Sequence, residues 1–176
     1  MTQTEYLTAA DQVFDLARTL ILTPDAIPMV QVDALLDQRV GLVIRATSNV
    51  AATAYLGIAS HLGLNLNDHK QIEGVLNPVE PGEQFTLIPA VDVLIEDPLK
   101  ALIRTVWDYA KTTKLTTDDA VAPLYIESAV SPAAVVINGA MPLTVKLVRK
   151  LNELNNEAAD VGIERLRRSH RKYLRL

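Results

Sequence analysis

Cysteine is absent from the 176 residues, which excludes a disulfide framework, a thiolate metal site and cysteine catalysis together. Aromatic residues are scarce, at 5% against 49% hydrophobic residues overall. The core must therefore be built from Ala, Val, Leu and Ile, side chains that suit closely packed helices. Glycine is thinly spread: positions 41, 57, 63, 74, 82, 139 and 162 form no G-x-G or G-K-[ST] spacing, so neither a P-loop nor a dinucleotide fingerprint is present. None of the serines at 48, 60, 128, 131 and 169 sits in a G-x-S-x-G elbow. Met1-Thr-Gln-Thr-Glu-Tyr6 carries no basic n-region and no long apolar run follows, so no secretory signal is expected. The location that fits is the cytoplasm or a virion assembled there.

Charge of one sign is also missing from whole stretches. No charged residue lies between Arg45 and Asp68, and no acid lies in Arg165–Leu176. That last segment holds six of the 17 basic residues, which leaves residues 1–164 with eleven against 21 acids, a net charge of −10. An acidic body ending in a basic tail implies that the tail meets something the body does not. The candidate contact residues are Arg165, Arg167, Arg168, Arg171, Lys172 and Arg175. They can dock on the acidic surface of a neighbouring copy, bind nucleic-acid phosphates with salt-dependent affinity, or form a solvated helix end favoured by the C-terminal dipole. If the tail is helical, Leu166, His170 and Tyr173 share one side.

Apolar residues at Tyr6, Ala10, Val13, Ala17 and Leu20 predict an amphipathic helix from Thr4 to Leu22, ended by Thr23-Pro24. The two prolines of Pro24–Pro28 predict an ordered turn. From Val32 to Leu62 the chain reads as one helix, or two joined near Gly41, stopped by Gly63. Its uncharged part, rich in Ala and Ser and interrupted by Thr47, Ser48, Asn49, Thr53 and His61, reads as a buried central helix rather than a membrane span. Asp68 to Leu76 reads as a short helix, 77–82 as a loop, and Gln84 to Leu94, with Pro89 inside it, as an edge strand or irregular apolar segment. Asp97-Pro98-Leu99 is a strong helix start. For 124–137 two readings stand open: a hairpin around Ser131-Pro132, or a helix begun by Pro132 and ended at Gly139. Pro142 is expected to open a last helix toward Tyr173, with Leu147, Leu151, Leu154, Ala158 and Val161 as its seam. Asp97-Pro98-Leu99 with Trp107-Asp108 is similar to a helix in the coat proteins of rod-shaped helical viruses; the likeness covers that helix and supports no family assignment.

Little in the chain suggests chemistry. His69 and Glu73, one helical turn apart, with Asp68 and His61, form the best metal-like grouping, but ordinary helix-start charge accounts for them. Glu96-Asp97 and Asp118-Asp119 are carboxylate pairs better explained as caps and surface charge. No catalytic residue, metal or cofactor is expected.

The expected fold is mostly α, a four- or five-helix bundle with a small β element at 84–94, joined by 123–137 on the hairpin reading, forming residues 1–164, followed by a basic tail at 165–176. The expected function is a non-enzymatic self-assembling structural subunit. A virion component (capsid, neck or connector) fits, packed in a ring or helical array through helix contacts and the tail. Its partners would be copies of itself, with nucleic acid at the tail as the alternative and no membrane. A second alternative is a small-molecule enzyme with an apolar helical pocket.

Overall fold

The structure, a computed structural model, describes residues 2–26, 28–65, 68, 70–71 and 132–173. These are mostly helical, with five helices and no strand among them: α1 (Gln3–Leu22), α2 (Met29–Leu36), α3 (Val40–Leu62), α4 (Pro132–Asn155) and α5 (Ala159–Tyr173). The expected segments at 77–82 and 84–94, the helix start at Asp97 and the strand reading of 124–130 lie outside the described residues.

Local signals account for the start of α1 and the end of α3. At α1 the Thr2 hydroxyl accepts from the Glu5 N–H at 3.2 Å and the Glu5 carboxylate accepts from the Thr2 N–H at 2.6 Å, closing a capping box. That backbone N–H, then the Thr2 hydroxyl, hold the Glu5 carboxyl below its usual range. The apolar stripe of α1 buries Tyr6, Ala9, Ala10, Val13, Phe14, Leu16, Ala17 and Leu20. The junction expected near Gly41 is the break between α2 and α3. α3 ends where expected, at Gly63, whose φ of 64° is left-handed and costs glycine no Cβ clash.

α3 is the central helix. Fifteen of its residues are buried, among them Thr47, Ser48, Asn49 and Thr53 as well as the alanines. By length and composition it could cross a membrane, and most of that apolar stretch is covered by protein. Its heaviest packing is on α4, and next on α1. A Cβ built on Gly57 would stand 2.9 Å from both Leu151 methyl carbons, so glycine there sets how closely α3 and α4 approach. Thr47 and Thr53 return their hydroxyl protons to the carbonyls of Val43 and Asn49, at 2.7 and 2.8 Å, which makes burial of hydroxyls affordable.

The C-terminal third closes one open reading and departs from the sequence in two further ways. Residues 133–137 are helical, which takes the helix begun by Pro132 over the hairpin. The helix begun at Pro132 runs through Gly139 to Asn155, so Pro142 lies inside it instead of opening it; buried packing around Pro142, Leu143 and Leu147 outweighs the missing N–H. The last helix is two helices, because Asn156 takes a left-handed φ of 52° and turns the chain. The expected seam ends with that turn: Leu147 and Leu151 are buried and Leu154 partly so, while Ala158 and Val161 face solvent.

Candidate functional site at the docked C-terminal helix

α5 separates its faces more sharply than any other described helix. Ile163, Leu166 and His170, spaced three and four apart, form its buried face. That face lies on α1, with further contacts to α4 and α3, so the first and last described helices close the bundle. The 164/165 boundary drawn from charge falls inside this helix. Gly162 permits the approach to α4: a Cβ there would overlap the Asn152 carboxamide oxygen. Asn152 is itself buried, and neither of its amide atoms has a hydrogen-bond partner among the described residues.

The basic residues nominated from the sequence divide by position. Arg167 and Arg171, one turn apart, reach Asp15 and Asp11, one turn apart on α1. The Arg167 guanidinium pairs with Asp15, and Arg171 Nη2 lies 2.5 Å from Asp11 Oδ2. Arg167 also lies over the Phe14 ring, 5.6 Å from its centroid. Arg165 Nε donates to both Glu157 oxygens at 2.8 and 2.9 Å. Arg168 and Lys172, again one turn apart, are exposed and hold no ion pair among the described residues. Arg175 lies outside the described residues, as do the side chain of Tyr173 and the metal-like pair His69 and Glu73. Asp68 Oδ1 caps the N–H groups of Lys70 and Gln71 at 3.0 and 3.4 Å, and His61 is exposed at the end of α3. Among the described residues no group of three or more His, Asp or Glu is placed to hold a metal ion.

His170 stands at the centre of this contact and is 1% exposed. Its Nε2 lies 2.9 Å from Tyr6 Oη on α1, and its Nδ1 lies 2.7 Å from Thr53 Oγ1 on α3. Phe14 presents an edge at 5.7 Å between centroids. The Thr53 hydroxyl has one proton, which goes to the Asn49 carbonyl. It must then accept from Nδ1–H, and Nε2 is left to accept from the Tyr6 hydroxyl. A single neutral tautomer satisfies all three contacts. Burial drives the His170 pKa down from 6.5 to about 4. With both ring nitrogens engaged, the imidazole has no lone pair for a substrate or a metal ion; it joins three helices.

The sequence placed His170 on the apolar side of the tail with Leu166 but not its partners. A histidine at an i+4 and i+7 position from buried Leu166 and Ile163 is the signal available in sequence; Tyr6 and Thr53 lie 164 and 117 positions away. Burial also raises the Tyr55 hydroxyl on α3 above its usual pKa. Compared with known protein families, curated proteins and solved structures, the chain matches none.

Proposed function

We propose that the protein is a non-enzymatic structural subunit that associates with copies of itself, with a virion component such as a capsid, neck or connector as its setting. The observation that supports this reading is an apolar corner where α1 ends and α2 begins. Val30 is 79% exposed, Met29 49% and Leu22 45%, beside a groove of about 510 Å³ that Thr19, Val30 and Ala34 help to line. Grouped exposed apolar residues with a polar rim are typical of protein contact surfaces. Charges of both signs lie on the two helices that form the corner: Arg18, which lines the groove, and Asp33 on α2 are exposed and hold no ion pair among the described residues. A second copy related by a two-fold axis would bring each opposite the other's complement.

This shifts the contact away from the tail. Arg165, Arg167 and Arg171 are occupied within their own chain, so the corner is the better supported association surface. Size-exclusion chromatography with light scattering on the full chain and on Val30→Glu tests the reading. An oligomer that Val30→Glu dissociates is the expected result; a monomer at every concentration overturns self-association. An oligomer indifferent to Val30→Glu overturns the corner. Rings or tubes in electron micrographs are expected for the virion setting, and discrete small oligomers alone would count against it.

One observation favours the nucleic-acid reading: Arg168 and Lys172 stand exposed on α5 and hold no ion pair among the described residues. Two such cations would contribute up to two units of salt slope, about one each. Binding to a mixed-sequence duplex that is unchanged in Arg168→Gln/Lys172→Gln would remove this reading.

A further inference from the structure

We propose that α5 is an acid-released latch: protonation of His170 unseats the C-terminal helix from α1 and α3 and frees Arg167 and Arg171 from Asp15 and Asp11, while α1, α3 and α4 stay packed. This rests on the docking geometry of α5 alone, independently of self-association.

In the docked state Nε2 accepts from Tyr6 and Nδ1–H donates to Thr53. A proton added at Nε2 turns that acceptor into a donor, so the Tyr6 hydroxyl has to turn round and accept. The resulting cation would sit in an apolar seat with Phe14 at its edge. Among the described residues no carboxylate is paired with the ring to offset the lost hydration. From α1 the titratable neighbour is Tyr6, and Asp11 and Asp15 are engaged by arginines. α3 has no charged residue from Ala46 to Leu62; its titratable groups there are Tyr55 and His61. The titratable groups of α4 are Lys146, Arg149, Lys150 and Glu153, and the hydrogen bonds and ring contacts of the imidazole among the described residues go to Tyr6, Phe14 and Thr53. On α5 itself Arg167 lies over the same Phe14, with the sign that repels an imidazolium. Moving the ring into water removes that penalty.

The latch has a hinge and a separable base. Asn156, with its left-handed φ of 52°, and the non-helical residues 157–158 connect α5 to α4. The α3–α4 and α1–α3 contacts are each more extensive than those α5 makes with any helix, so the rest of the bundle retains its core when α5 leaves. Release separates Arg167 and Arg171 from Asp15 and Asp11, so that both sets of charges lose their partners in the chain and the apolar face of α5 is uncovered.

Hydrogen exchange of the full chain at pH 7 and pH 5, corrected for intrinsic rates, reads the opening of α5 directly. The expected change is a roughly twentyfold larger opening constant for α5 at pH 5, with protection in α3 and α4 unchanged. Equal α5 protection at the two pH values overturns the proposal, and so does simultaneous loss in α5 and α3. His170→Gln, which keeps a polar contact but takes no proton, should abolish the pH dependence; retention of the twentyfold change overturns the latch. Should that variant not fold, Tyr6→Phe serves: without the donor that favours the neutral ring, the docked ring takes its proton more readily and the change in opening between pH 7 and pH 5 should shrink, and an unchanged ratio overturns the proposal.

Discussion

Thr53 Oγ1 on the central helix and His170 Nδ1 on the last one lie 2.7 Å apart across 117 positions of sequence, and this contact fixes which ring nitrogen carries the proton. Thr53→Val keeps the shape and removes the acceptor, leaving Nδ1–H buried and unpaired. A loss of about 1–3 kcal/mol at neutral pH is expected, read from urea midpoints. Thr53→Ser, which restores the hydroxyl, should recover much of it.

Stability should fall on acidification through this same histidine. An unfolded chain binds the proton near the ordinary 6.5, the folded one only near 4. The folded state is therefore the less protonated one between these values, and stability rises with pH there. The contribution is complete above pH 6.5 and lost as pH falls toward 4, on the order of 3 kcal/mol in all. Urea unfolding at pH 7.5 and 4.5 should show this decline in the wild type, with a smaller decline in His170→Gln.

The two interhelical glycines should respond differently to alanine. At Gly162 the added methyl would overlap the buried Asn152 carboxamide oxygen, a far deeper overlap than at Gly57; overpacking of this kind costs about 1–3 kcal/mol. At Gly57 the methyl meets the two ends of the Leu151 side chain, which can turn. The gain in helix propensity, up to about 1 kcal/mol, then offsets much of the clash. Gly162→Ala should lower the melting temperature clearly more than Gly57→Ala.

The ion pairs between α5 and α1 should matter less than their number suggests. Asp15 and Arg171 are about half exposed, so a double-mutant cycle on Arg167 and Asp15 should give a coupling below about 1 kcal/mol that shrinks in high salt. Arg167→Ala should cost more than Asp15→Ala, because the guanidinium also covers the Phe14 ring.

Much of the local structure was legible. The stripe from Tyr6 to Leu20 marked α1, the gap in charge after Arg45 marked the central helix, and Gly63 marked its end; each is a signal carried by neighbours in sequence. The Thr2–Glu5 capping box was legible too, although the expected start at Thr4 passed it by. Pro132 and Pro142 were harder. Both suit a first turn, and only burial of the surrounding residues shows that one opens α4 and the other is carried through it. Asn156 resembled an ordinary helical residue, and its left-handed backbone ended a seam that otherwise read on to Val161.

The uneven charge is where sequence and structure divide most clearly. The sequence by itself determined that residues 165–176 are basic, that their helix has one apolar side, and that the body around them is acidic, because composition and helical period are properties of neighbouring residues. It did not determine whom the arginines would meet. That was decided by the tertiary structure, which brings α5 against α1 so that Arg167 and Arg171 meet Asp15 and Asp11 in the same chain. The same packing turns a histidine among cations into a neutral, buried joint between Tyr6 and Thr53. Coulomb attraction and desolvation depend on distance and surroundings, and over separations of more than a hundred residues only the fold sets both.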